Sequence, residues 1–240
     1  MIISHKNKYL YIEIPQTASV AISQELCLYY GGEKILQKHS FYSDFLKIAS
    51  TEEKKYFVFA GIRNPLDDLV TWYYKLKTDY GQEFTDPNKR KKIKVLRKLV
   101  GTKMFEDIHE RDMDFKTFFL KYYKIPYNNF ACLISGNYDD LIRFENLQED
   151  FARVLQIIGL EPVRPLPVRN PTKERKKDFW SYYTPEIIPR AKRVFGPFMK
   201  QWGYEFPPEW GDYNQTWWNL RQFELFSFLR RIKWEYLRFL

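Results

Sequence analysis

The chain has 240 residues, 45% of them hydrophobic and 19% aromatic, enough to bury a substantial core as a single domain over 1–240. Its 39 Lys and Arg against 30 Asp and Glu leave a net charge of +9, which favours anionic partners such as nucleotides, acidic glycans, nucleic acid or anionic lipid surfaces. Two cysteines, Cys27 and Cys132, argue against a disulfide framework and suit a reducing compartment, and the scattered His5, His39 and His109 form no metal-ligand cluster.

The first residues carry no succession of basic, apolar and small residues of the secretory kind, so the expected address is cytoplasmic. No run approaches the roughly 20 apolar residues of a spanning helix. Tyr9 to Ile14 alternates bulky β-formers and stops at Pro15; helical spacing then runs from Val20 to Tyr30 and ends at Gly31-Gly32. Tyr56 to Ile62 is a near-continuous apolar run, predicting a central parallel strand. Asn64 and Pro65 open a helix reaching about Leu76.

Residues 80–113 are polar and basic, with Lys89, Arg90, Lys91, Lys92, Lys94, Arg97 and Lys98 in one helix-compatible stretch, expected as an insertion at the rim of the sheet. Such a run is either a solvated helix face or a groove for an acidic glycan. Strand patterns return at Ala131–Ile134 and Leu141–Phe144, the second followed by a helix from Leu147 to Ile158 that ends at Gly159. Four prolines between Glu161 and Pro171 mark an irregular loop, and helices resume after Thr184-Pro185. The segment 213–240 closes the chain with an aromatic and basic helix from Trp217, suited either to core or subunit packing or to peripheral contact with an anionic membrane. Strands alternating with helices predict an α/β fold, a doubly wound parallel sheet flanked by helices.

Two segments carry chemistry. The turn Pro15-Gln16-Thr17-Ala18-Ser19-Val20 sets small residues where a strand meets a helix N-terminus, a place where backbone N–H groups bind anions. It lacks the Gly-Lys-Ser/Thr ending of a Walker loop. In Gly61-Ile62-Arg63-Asn64-Pro65-Leu66-Asp67-Asp68-Leu69-Val70-Thr71-Trp72-Tyr73, Arg63 leaves a strand end with five donors and Thr71 lies two turns into the next helix, a spacing that lets both meet one oxyanion. The rival role for Arg63 is a salt bridge to Asp67 or Asp68.

These two motifs resemble the sulfotransferase family, especially the branch of heparan and other carbohydrate sulfotransferases, whose loop reads Pro-Lys-Thr-Ala/Gly-Ser/Gly-Thr-Ser. Lys38-His39-Ser40, Asp140 to Leu147, Tyr182 to Glu186 and Trp202 to Phe206 agree with it. The resemblance implies that 3′-phosphoadenosine 5′-phosphosulfate is the co-substrate, with no metal. Pro15, Gln16, Thr17, Ala18, Ser19 and Val20 would cradle its phosphosulfate, and Arg63 and Thr71 its 3′-phosphate. His39 would be the general base toward a hydroxyl-bearing, carbohydrate-type acceptor. Glu145 is an alternative base or a pin between the sheet edge and the following helix.

The chain departs from the family where it matters for catalysis. Gln16 replaces the loop lysine, and Val20 and Ala21 replace hydroxyl residues. A compensating cation could be Lys38 or a lysine of the 89–98 stretch. Two functions therefore follow: a sulfotransferase, or a catalytically impaired nucleotide-binding homologue acting as a binding or scaffold protein. Nucleic-acid binding lacks any reading motif.

Overall fold

A computed structural model describes residues 1–92, 95–134, 136–169, 172–176 and 178–235; of 90–92, 95–99 and 235 it describes the backbone alone. In chain order the elements are β1 (Ile2–Ser4), β2 (Tyr9–Ile12), α1 (Ser19–Tyr29), β3 (Glu33–Lys34), α2 (Tyr42–Ile48), β4 (Phe57–Ile62), α3 (Pro65–Lys77), α4 (Pro87–Lys92) and α5 (Val95–Glu110). They continue with α6 (Phe115–Tyr122), β5 (Asp140–Arg143), α7 (Leu147–Ile157), α8 (Ile188–Gln201) and α9 (Trp217–Glu235). Two compact units result: Met1–Asn64 with Asn128–Asn170 and Glu224–Leu240, and Pro65–Tyr127 with Pro171–Phe223.

The first unit holds a five-stranded sheet in the order β3-β1-β2-β4-β5. The expected parallel sheet is its β2-β4-β5 part, in register Ile12 to Ala60 and Ile62 to Arg143. Antiparallel β1 and β3 extend it at one edge, which makes the sheet of this α/β fold mixed. β2 and β4 are apolar and buried at successive positions, and on one side Tyr9, Tyr11, Phe59 and Ile142 pack with Ile22 and Leu26 of α1 and Phe151, Val154 and Leu155 of α7. α7 is tied back to β5 by Arg153, which pairs with Asp140 and donates to the Leu141 carbonyl (3.0 Å).

The proline-rich loop is irregular but anchored. Arg164 makes two hydrogen bonds to the fully buried carboxylate of Glu25 (2.9 and 3.0 Å), and Gln148 exchanges two with the backbone of Leu166 (2.9 and 2.8 Å). Asn170 and Pro171 lie outside the described residues.

The second unit has an aromatic core. Leu66, Leu69, Val70 and Tyr73 of α3 pack with Phe115, Phe118 and Phe119 of α6 and with Val194 and Phe195 of α8. Phe84, Ile108 and Met113 join it, so the segment 80–113 builds core as well as surface. The run Ala131–Ile134 is not a strand but a 3₁₀ turn, Phe130–Leu133, opened by the Asn129 side chain accepting from Ala131 N (2.9 Å). So short an apolar run has no period to tell strand from turn, and the Asn cap decides it.

Gly61 in β4 lies so close to the turn after β2 that an added Cβ would stand 2.4 Å from Thr17 Oγ1 and 2.8 Å from Thr17 Cβ. Gly61→Ala is therefore expected to cost about 1–3 kcal/mol by overpacking. Urea unfolding checks it, and a change under about 0.5 kcal/mol would show that strand and turn are not in this contact.

Candidate nucleotide and transfer site

Parallel strands bring the ends of β2 and β4 to one edge of the sheet, and both lead into candidate residues. After Ile12 the chain turns through Glu13–Ala18 before α1 begins at Ser19. Gln16 (φ +67°) and Ala18 (φ +58°) are left-handed, while Thr17 between them is not. Alternating handedness turns successive N–H groups to one side, the backbone form of a nest, here set at the N-terminus of an 11-residue helix. Left-handed non-glycine residues cost roughly 1–2 kcal/mol each, so the surroundings must hold the turn in place. Thr17 Oγ1 donates to the Ile14 carbonyl (2.9 Å), and Arg63 Nη1, from the end of β4, donates to the Gln16 carbonyl (3.1 Å).

That geometry changes individual roles. With its hydrogen directed at Ile14, the buried Thr17 hydroxyl offers no donor outward, which leaves the backbone N–H as its means of meeting an anion. Arg63 is buried, stacks its guanidinium 3.9 Å over the Phe144 ring, and so fixes the turn as well as bringing charge to the strand ends. Glu145 Oε1 accepts from Asn64 N (2.7 Å), stitching the end of β5 to the end of β4.

His39 also belongs to the first unit. Its Nδ1 lies 2.8 Å from the Glu13 carbonyl; a carbonyl only accepts, so Nδ1 carries the hydrogen and Nε2 keeps its lone pair. Burial pushes the imidazole pKa below its ordinary value, and nearby Lys38 pushes the same way against the raising effect of Glu13. Glu13 itself sits below the ordinary carboxylate range: burial would raise it, but the Met1 ammonium and the Ser23 hydroxyl (2.7 Å) outweigh that.

In the second unit Thr71 is buried on α3, and its hydroxyl accepts from Arg175 Nη1 (2.8 Å). Arg175 also pairs with Asp67, while Asp68 accepts from the Tyr127 hydroxyl (2.5 Å). Lys89 is engaged locally, with Gly81 O at 2.8 Å and Asp86 at 3.8 Å; Lys94 and the side chains of Arg90, Lys91, Lys92, Arg97 and Lys98 lie outside the described residues.

A model of the sulfotransferase family matches residues 1–195, from β1 to the middle of α8. The chain belongs to the sulfotransferase family. No curated protein and no solved structure matches it. The matched span of this sulfotransferase contains the turn, His39, Arg63, Thr71 and Arg175, and leaves out α9.

Arg175 is the residue sequence reasoning missed. It stands in Thr172-Lys173-Glu174-Arg175-Lys176, where nothing distinguishes one cation from the next, and only its bonds to Thr71 and Asp67 single it out.

His39 is expected to titrate below about 6.5, followed by NMR of its ring protons against a His39→Asn control. Since the unfolded chain takes up the proton first, the associated stability is complete above the unfolded value and declines as pH falls through it. A ring that titrates above 6.5 would contradict the burial that sets this direction.

Proposed function

We propose that this sulfotransferase uses 3′-phosphoadenosine 5′-phosphosulfate and transfers its sulfonate to a hydroxyl of a carbohydrate-type acceptor, without a metal. The observation that carries the reading is the left-handed turn at the N-terminus of α1, held by Arg63 through the Gln16 carbonyl. The residues fit such a ligand: the nest and helix terminus suit the phosphosulfate end, and Arg63 and Thr71 are assigned to the 3′-phosphate, with Arg175 adding a cation at the Thr71 hydroxyl. When bound, the nucleotide supplies an activated sulfonate whose transfer to the acceptor oxygen leaves 3′-phosphoadenosine 5′-phosphate.

The chain's own part is to bind, orient and take a proton. His39 Nε2, neutral near pH 7, accepts the acceptor hydroxyl's proton. Backbone N–H groups of Gln16 to Ser19 face the charge that builds on the departing phosphate oxygen, and their fixed orientation requires no reorganisation as that charge grows. Gln16 adds an amide donor where the family has a positive charge. Pro15 and Val20 border the nest and give it shape. A cytosolic address belongs to this reading, and both cysteines are free thiols.

A second reading, a nucleotide-binding homologue without turnover, is favoured by Gln16, Val20 and Ala21, which supply the turn with no charge and no side-chain hydroxyl.

Calorimetric titration with 3′-phosphoadenosine 5′-phosphate separates the outcomes. Micromolar binding is expected, weakened about tenfold or more by Arg63→Ala and by Thr71→Val. Thr71→Val is the cleaner control, because Arg63→Ala also frees the turn. Absence of binding by the native chain would overturn the cofactor assignment.

Gln16→Lys is expected to raise turnover by about 10²-fold. Measurable turnover by the native chain favours the first reading, and activity seen only in that variant favours the second.

A further inference from the structure

Helix α9 has one packed face and one exposed apolar face. On one, Asn219 and Phe223 are buried, Asn219 Nδ2 donates to the Arg193 carbonyl (2.7 Å), and Ser227 accepts from Asn128. Further along the same face Arg230 donates to the Asn128 carbonyl (3.0 Å), and Trp234 meets the rings of Phe130 and Phe41 at 5.1 and 5.9 Å. Steps of three and four residues keep these positions on one side at about 3.6 residues per turn.

The other face is Trp217, Trp218, Leu225, Phe228 and Leu229, within roughly a third of the circumference. They are 58%, 71%, 53%, 59% and 49% exposed. Single exposed apolar residues are ordinary, but five forming one stripe mark a surface that something covers. The exposed Arg221 rises within this stripe with its guanidinium 5.6 Å over the Trp217 ring, and Arg231 and Lys233 are exposed toward its two borders.

We propose that this face docks onto an anionic lipid bilayer, with α9 lying in the headgroup plane. Charge complementarity selects this occupant. Arg221, Arg231 and Lys233, in or beside the stripe, outnumber Glu224 and Glu235 of the same helix, on a chain of net charge +9. A second copy would set the same cations against each other, whereas a bilayer offers apolar depth and phosphate together. Trp217 and Trp218, their rings 4.6 Å apart, combine an apolar body with a polar N–H, which suits the headgroup boundary, and Arg221 is long enough to reach phosphate from within the stripe. No helix among the described residues is long and apolar enough to cross a membrane, and α9 has the polar borders of one that lies on it. This docking does not depend on the reaction proposed above.

The test is co-sedimentation of the purified chain with extruded vesicles of phosphatidylcholine alone and with about 30% phosphatidylserine. Binding about tenfold or more tighter to the anionic vesicles, weakening as salt rises, is expected. Trp218→Ser with Leu225→Ser and Phe228→Ser should reduce it about tenfold while thermal midpoint and calorimetric nucleotide binding stay unchanged, and Arg221→Gln with Lys233→Gln should remove the preference for phosphatidylserine. Native chain mixed with brominated anionic vesicles gives a check free of variants, in which quenched tryptophan emission is expected. Failure to bind, equal binding to both vesicles, unquenched emission, or a dimer in sedimentation velocity that the triple serine variant abolishes would each overturn the proposal.

Discussion

The first unit depends on one close approach: the chain after β2 passes over Gly61 of the neighbouring parallel strand. Parallel pairing of β2 and β4 sets both strand ends at one edge. The missing Cβ at Gly61 then lets Thr17 sit directly on the sheet, and Arg63, two residues on, closes the arrangement by donating to Gln16 O. Two left-handed residues without glycine's freedom persist there because strand, turn and arginine together determine them. The nest-like form of the turn follows from that packing; no side-chain charge inside the loop is needed to shape it.

Charge placement follows the same logic. Arg63 is ordered against Phe144 and Gln16, and Arg175 against Thr71 and Asp67, so each cation is positioned by protein contacts of its own. A guanidinium already oriented loses less freedom on meeting a phosphate than a mobile lysine would. Binding and catalysis separate here. On the reading proposed above, Arg63 can hold an anion whatever occupies position 16, whereas the side chain of Gln16 offers a departing phosphate oxygen only a neutral amide.

The long apolar run Tyr56 to Ile62 and the turn at Pro15 were legible in sequence because a buried parallel strand and a strand-to-helix junction each leave a pattern. β1 and β3, three and two residues long, are too short to show a period, and the antiparallel edge is thus visible only in space. The same limit hid Arg175, whose partners are more than 100 residues away in sequence. His39 could be named from its neighbours, but its tautomer depends on a carbonyl 26 residues earlier. Local pattern reports strands, caps and turns, while the state of a titrating group is fixed by what folding brings beside it.

Helix α9 shows a different kind of illegibility. Apolar residues all round a helix ordinarily mean full burial, and the sequence from Trp217 on has that composition. Among the described residues Phe223 is buried and Trp234 packs against Phe41 and Phe130, while Trp217, Trp218, Leu225, Phe228 and Leu229 stay exposed. The family match ends at residue 195, before α9 begins. The outward stripe thus belongs to a part of the chain outside the matched span. Its exposed apolar residues are explained by what covers them and not by the packing of the turn at Gln16, which involves Gly61 and Arg63.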